Sequence, residues 1–122
     1  MREGYVTYTN AAKVRLLGVR EETLRLHGAV SASCACEMAQ GAREKSGADW
    51  ALSTTGVAGP DGGTPEKPVG LVYVGVAGPD GVRAEKLQLR GDRAWVRTLA
   101  CQNALNFLRL EMLRAQNSPA AE

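Results

Sequence analysis

Ser53-Thr54-Thr55-Gly56-Val57-Ala58-Gly59-Pro60-Asp61-Gly62-Gly63-Thr64-Pro65-Glu66-Lys67-Pro68-Val69-Gly70 separates two apolar runs, Trp50-Ala51-Leu52 before it and Leu71-Val72-Tyr73-Val74-Gly75-Val76 after it. Short apolar runs bounded by Gly and Pro read as strands. An ordinary hairpin loop takes about two to five residues. This connection is far longer and is filled with Gly, Pro and Thr. A long loop with no apolar content of its own is usually functional or disordered. Pro60, Pro65 and Pro68 restrict the backbone, which argues for a shaped loop. The glycines permit positive φ and leave N–H groups bare of side chains. Together with the Thr hydroxyls and Lys67 they form a cradle suited to a phosphate or a carboxylate. The bland alternative is a rigid connector that packs on the sheet edge. The stretch is neither a Walker A loop nor a Gly-x-Gly-x-x-Gly dinucleotide fingerprint, because no Gly-Lys-Ser/Thr opens a helix and the glycine spacing differs.

Outward from the loop the pattern predicts an α/β domain. Upstream, Ala48 to Thr54 reads as a strand. Downstream, Val69 to Ala77 is apolar almost throughout and reads as a strand buried on both faces. Gly78-Pro79-Asp80-Gly81 is a turn, and Val82 to Leu89 alternates as a strand with one wet face, so these two strands are antiparallel. Gly4-Tyr5-Val6-Thr7-Tyr8-Thr9 is β-branched and aromatic and also reads as a strand. Helices connect it to the Ala48–Thr54 strand, which predicts a parallel relation between those two and hence a mixed sheet. Between them lie a short helix from Asn10, its N-cap, to Gly18, a second from Arg20 to Leu26, and a longer one from Ala32 to Lys45 with Ser31 as N-cap and Gly47 as its stop. Asp92 caps a last helix whose Val96, Leu99, Ala100, Asn103, Ala104, Phe107, Leu108 and Met112 recur at three and four as an apolar stripe. Residues 1–116 form one domain and Asn117 to Glu122 a frayed tail.

The chain has 122 residues, 44% hydrophobic and 23% charged, with a formal net charge of +2. These values suit a single soluble globular domain. The charge balance offers no case for a nucleic-acid or membrane partner. No apolar run of transmembrane length and no signal peptide is visible. Cys34, Cys36 and Cys101 lack metal-ligand spacing and read as reduced thiols of a cytoplasmic protein, with no metal and no cofactor expected.

Several residues have the chemistry and position for a site. Tyr8 and Lys13 fall at the end of the first expected strand and on the helix after it, where open α/β sheets bind ligands. A partly desolvated Lys there can act as a base; a Lys on a short helix is otherwise a solvated side chain, and Tyr8 a packed aromatic with its hydroxyl at the rim. Thr54 and Thr55 close a strand beside the glycine loop, or simply suit a strand. Arg93 lies in the first turn of a helix, where a cation is unfavourable, so it pairs with an anionic ligand or with a nearby Asp92 or Glu. His27 suits a helix C-terminus, Ser31 an N-cap, and Trp50 and Trp95 the core.

The motifs Tyr5-Val6-Thr7-Tyr8-Thr9-Asn10-Ala11-Ala12-Lys13, Leu17-Gly18-Val19, His27-Gly28-Ala29-Val30-Ser31, Thr55 to Gly70 and Gly91-Asp92-Arg93 together resemble the C-terminal domain of the competence/damage-inducible CinA family, which includes stand-alone nicotinamide-nucleotide amidases. The resemblance covers nearly the whole chain. It implies a three-layer α/β/α sandwich, often a homodimer, with no metal. It implies hydrolysis of nicotinamide mononucleotide to nicotinate mononucleotide and ammonia in pyridine-nucleotide salvage. The implied chemistry is that of a serine amidase with a lysine base. Lys13 matches that lysine and Tyr8 the nearby tyrosine. Thr55 and Gly56, with Ala58 and Gly59 after them, match the substrate-side turn, and Arg93 matches a substrate-binding arginine. A Ser hydroxyl needs an adjacent base, and the oxyanion needs N–H donors such as a glycine turn supplies.

The chain also departs from the family pattern. The family's first helix–strand–helix segment, with its Glu-Ser-Cys-Thr-Gly-Gly type motif, is missing from these residues. The nucleophilic serine would fall just upstream of Met1, and Ser31, Ser33, Ser46 and Ser53 align with other features. The expectation is an N-terminally truncated amidase domain. The alternative is a non-catalytic nucleotide-binding or dimerisation remnant of the family. Either way a bared apolar face, weak monomer stability or self-pairing is expected.

Overall fold

The structure, a computed structural model, describes residues 2–117. In chain order the elements are α1 (Asn10–Leu17), α2 (Glu21–His27), α3 (Ala32–Ser46), β1 (Ala51–Gly56), β2 (Leu71–Gly78), β3 (Gly81–Gln88) and α4 (Arg93–Asn117). The described strands form one sheet in the order β1-β2-β3. Both pairings are antiparallel, with Ser53 opposite Gly75 and Val76 opposite Arg83. The sheet is sandwiched between α3, with α1 and α2 beyond it, and α4. This is the expected α/β class with an α/β/α layering.

Local chemistry accounts for most element ends. Ser31 accepts from the Cys34 amide and opens α3, and Asp92 accepts from the Trp95 amide and opens α4. Gly18 and Gly47 close α1 and α3 in the left-handed region, at φ 70° and 71°. The N-cap of α1 is Thr9, not Asn10: the Thr9 hydroxyl accepts from the Ala12 amide, and Asn10 is already helical. Pro79-Asp80 make the two-residue connection of the β2–β3 hairpin.

Two faces of β2 build two layers of contact. Val72 and Val74 pack with Val96, Ala100 and Ala104 of α4. Each buried Val contributes roughly 1.5–3 kcal/mol relative to exposure. The opposite face is small, so α3 comes close: a methyl on Gly75 would sit 2.5 Å from the Ala35 carbonyl oxygen. There the Ser53 hydroxyl donates to that same carbonyl at 2.6 Å. Leu17, Val19, Cys34 and Met38 form a second cluster between α1 and α3.

Several expectations are corrected. Gly4–Thr9 is not a strand: it runs unpaired, with Val6 70% and Tyr8 86% exposed. β-branched residues favour a strand only where a partner strand and a face to bury exist, and this segment has neither among the described residues. Without it the expected mixed sheet becomes an antiparallel one. β3 is exposed along most of its length, because it is an edge strand that α4 meets only near Leu87 and through the Arg83–Glu111 ion pair. The stripe on α4 buries only Val96, Ala100 and Ala104 fully, while Met112 stays 42% exposed. Trp95, expected in the core, is 54% exposed. Of the expected tail, Asn117 ends α4 and residues 118–122 lie outside the described residues.

Candidate functional site

Lys13 lies on α1, a helix only two turns long, and its side chain turns back toward the residues that precede that helix. It is 7% exposed, and its ammonium donates to the Thr7 carbonyl at 2.7 Å. No carboxylate lies within salt-bridge distance of it among the described residues. An ammonium removed from water and held by a single carbonyl is uncommon, since buried charges are ordinarily paired.

The backbone between α2 and α3 forms the next wall. The Thr55 hydroxyl, at the end of β1, donates to the Ala29 carbonyl at 2.7 Å. The Ser31 hydroxyl donates to the Gly28 carbonyl at 2.8 Å. Lys67 reaches from the far end of the long loop to the His27 carbonyl, the last of α2. Its path crosses Gly28, where φ is 77° and an added methyl would sit 2.8 Å from the Lys67 ammonium. Burial is the largest influence on the Cys34 thiol and pushes it up; Lys13 pulls it down, Glu37 pushes it up, and Lys67 adds the smallest pull down.

The long loop is shaped at both ends. At its base the Val57 amide donates to the Leu71 carbonyl at 2.9 Å, and the Gly70 amide to the Val57 carbonyl at 2.6 Å. At its outer end Thr64 and Lys67 close a turn on each other, through the Thr64 amide to the Lys67 carbonyl and the Lys67 amide to the Thr64 hydroxyl. Arg93, at the start of α4, donates to the Gly59 carbonyl at 3.0 Å. That contact answers the question its helix position raised: Arg93 binds neither Asp92 nor a Glu, and anchors the loop to α4.

The expected site residues therefore fall in separate places. Thr55 meets the α2–α3 connection, together with Lys67, while Lys13 is held by the Thr7 carbonyl ahead of α1. Gly59 and Arg93 meet each other beside α4, and Ala58 packs against the Val72–Val96 cluster. Gly56 ends β1 hard against β2, where a methyl would sit 2.7 Å from the Leu71 carbonyl oxygen. Tyr8 stands in solvent on the unpaired segment, and Thr54 is exposed on the sheet. The contact of Lys67 with the end of α2 carries no local signal, because it spans 40 residues of chain.

The α2–α3 connection thus holds one ammonium and two hydroxyls on its carbonyls. Lys13 stands on α1 as a buried amine, the group with the chemistry for proton transfer. Ser31 and Ser53 donate to backbone carbonyls, and the Lys13 ammonium has the Thr7 carbonyl and no serine as its hydrogen-bond partner among the described residues. Every buried side-chain polar atom among the described residues has a partner. No described helix is long and apolar enough to cross a membrane.

The CinA C-terminal domain model matches residues 1–112. A CinA-like protein of Citrifermentans bemidjiense is 51% identical over 117 residues, which cover 96% of this chain and 28% of the relative. A CinA-like protein of Kosmotoga olearia is 52% identical over 111 residues, 91% of this chain and 27% of the relative. The chain thus spans little more than a quarter of the length of these curated relatives. Among solved structures, the competence/damage inducible protein CihA from Agrobacterium tumefaciens is 44% identical with a TM-score of 0.82, covering 94% of this chain and 68% of that one. A CinA superfamily protein from Klebsiella pneumoniae 700603 superposes with a TM-score of 0.85 at 34% identity, covering 89% and 68%.

Proposed function

The chain belongs to the CinA C-terminal-domain family, and on that premise we propose that it is a nicotinamide-nucleotide amidohydrolase domain of pyridine-nucleotide salvage. Water and the carboxamide of nicotinamide mononucleotide give nicotinate mononucleotide and ammonia. The observation that carries the reading is Lys13, buried to 7% exposure with a carbonyl as its only hydrogen-bond partner among the described residues. In this reading Lys13 is the base that takes the proton of the attacking hydroxyl. The same group returns that proton to the departing nitrogen as the C–N bond breaks, leaving an ester on the nucleophile; it then takes a proton from the water that attacks the ester and returns it to the nucleophile oxygen as nicotinate mononucleotide leaves. Thr55, Gly56, Ala58, Gly59 and Arg93 shape the substrate side, and Tyr8 helps orient the nucleophile. The attacking hydroxyl comes from the family's Glu-Ser-Cys-Thr-Gly-Gly type motif, which these residues do not contain. Three free thiols support a reducing, cytoplasmic setting.

The test is ammonia release from nicotinamide mononucleotide, with and without a peptide carrying that serine motif. Release that needs both the peptide and Lys13 supports the reading. Release by the Lys13→Ala chain at the normal rate refutes it.

A second reading, a non-catalytic nucleotide-binding or pairing module, draws on a different observation. On α4, Trp95, Leu105, Leu110, Met112 and Leu113 are 54%, 60%, 47%, 42% and 42% exposed. Exposed large apolar side chains concentrated on one helix suit an interaction surface, and a homodimer would cover it. Saturable mononucleotide binding with no ammonia release under any condition favours this reading.

A further inference from the structure

The long loop is fastened unevenly. Its base is held by backbone and side-chain bonds together. The Val57 amide donates to the Leu71 carbonyl and the Gly70 amide to the Val57 carbonyl. Gln88 donates to the Val69 carbonyl at 3.2 Å, and Arg93 to the Gly59 carbonyl at 3.0 Å. The outer part is different. Residues 60–66 are all exposed. Thr64 and Lys67 close a turn on each other. Among the described residues, the one hydrogen bond that joins residues 60–67 to another element runs from the Lys67 ammonium to the His27 carbonyl. Asp61, Glu66 and Lys67 make no ion pair there.

That carbonyl opens a stretch on which three parts of the chain converge. The His27, Gly28 and Ala29 carbonyls accept in turn from Lys67, Ser31 and Thr55. Ser31 is a helix cap and Thr55 lies in a strand, so both are held by regular structure. Lys67 is the one donor of the three that comes from an exposed loop. Gly28 leaves it room, since a methyl there would sit 2.8 Å from the Lys67 ammonium. Segments with exposed backbone and few anchors are the first to open in a folded protein.

We infer that Lys67 is the clasp of a strap. Residues 60–67 close over the α2–α3 connection through this one ammonium, and they open from it while the base of the loop and the sheet stay in place. With the clasp undone the Thr64–Lys67 turn loosens as well, because an exposed turn has no other anchor. Opening bares the His27 carbonyl, two residues from the carbonyl that holds Thr55. The strap therefore governs access to that stretch. The inference goes beyond the amidase reading and does not depend on it.

The experiment is amide hydrogen exchange followed residue by residue by nuclear magnetic resonance, on the natural chain, Lys67→Met and Lys67→Arg. The amides of Thr64 and residue 67 report the strap, those of Val57, Gly70 and Leu71 the base, and those of Val72 and Val74 the sheet. A hydrogen bond from a charged donor is worth about tenfold to a hundredfold in an equilibrium. Exchange at Thr64 and residue 67 is therefore expected to be slow in the natural chain and about tenfold or more faster in Lys67→Met. Base and sheet amides are expected to keep their rates. Lys67→Arg, which keeps a charged donor, is expected to stay close to the natural chain. Four results overturn the inference: a Thr64 amide already unprotected in the natural chain, unchanged exchange there in Lys67→Met, equal acceleration of strap, base and sheet, or a Lys67→Arg chain as fast as Lys67→Met.

Discussion

Lys13 and Cys34 show how position governs chemistry for single residues. Both are buried against α1 and α3, one as an amine and one as a thiol. Cys34 is fully buried, and burial pushes its thiol up more than the two lysines pull it down. The thiolate is the reactive form of cysteine, so Cys34 is expected to be inert in the native state despite its cationic neighbours. Cys101 is exposed on α4. Thiol-reagent titration with mass spectrometry should label Cys101 promptly and Cys34 only on unfolding. Prompt labelling of Cys34 in folded protein would show that its surroundings open. At this scale the sequence was partly readable. Caps and stops follow from the side chain itself, which is why Ser31, Gly18, Gly47 and Asp92 could be placed from residue type. Lys13 could be marked as a candidate from its place on the helix, but its burial depends on the fold of Thr7 and could not. Lys67 was visible as a loop cation, while its aim across Gly28 depends on where α2 ends.

Among the elements, the α1–α3 contact is the tightest constraint. α3 carries Gly41 where it crosses the end of α1, and a methyl there would sit 1.7 Å from the Leu17 carbonyl oxygen. That neighbour is backbone and cannot swing aside. Gly41→Ala gains up to about 1 kcal/mol of helix propensity. It is nevertheless expected to lose about 2–3 kcal/mol net through overpacking, seen as a lower urea midpoint; an unchanged or raised midpoint would contradict the contact. Glu37 ties α2 to the same helix. Burial raises its carboxyl, but the Arg20 amide, the Thr23 hydroxyl and the Arg20 guanidinium outweigh burial and hold it below the usual carboxylate range. A depressed folded value means the stabilisation is complete above the unfolded value of about 4.3 and is lost as pH falls through the lower folded value. The stability gap between the natural chain and Glu37→Gln should therefore be largest near neutrality and shrink below about pH 4. A gap that is constant with pH would mean the hydrogen bonds do not depend on the charge. The strands read from sequence divide by the same logic. β2 was legible because burial on both faces leaves an unbroken apolar run. The Gly4–Thr9 strand was a misreading, because its composition fits a strand but nothing pairs with it.

The whole molecule carries the largest consequence of its layering. One side of α4 closes on β2, and the other presents Trp95, Leu105, Leu110, Met112 and Leu113. Such a surface predicts self-association in the micromolar range, reversed by Leu105→Glu. Sedimentation velocity across a concentration series measures it, and a compact monomer throughout would remove the pairing claim. The α/β class and its helix-flanked sheet were legible from the alternation of patterns along the chain. The meeting of Thr55 and Lys67 on the α2–α3 connection was not, because it joins β1 and the loop to that connection by long-range contacts alone. The central claim is that buried Lys13 is the base of an amidase. The most direct test is ammonia release from nicotinamide mononucleotide by the chain supplied with the Glu-Ser-Cys-Thr-Gly-Gly type segment, with Lys13 intact or replaced by Ala. The account predicts release with Lys13 and a fall of about a hundredfold or more without it. Equal rates from the two chains, or no release from the Lys13 chain with the segment shown to be bound, would contradict it.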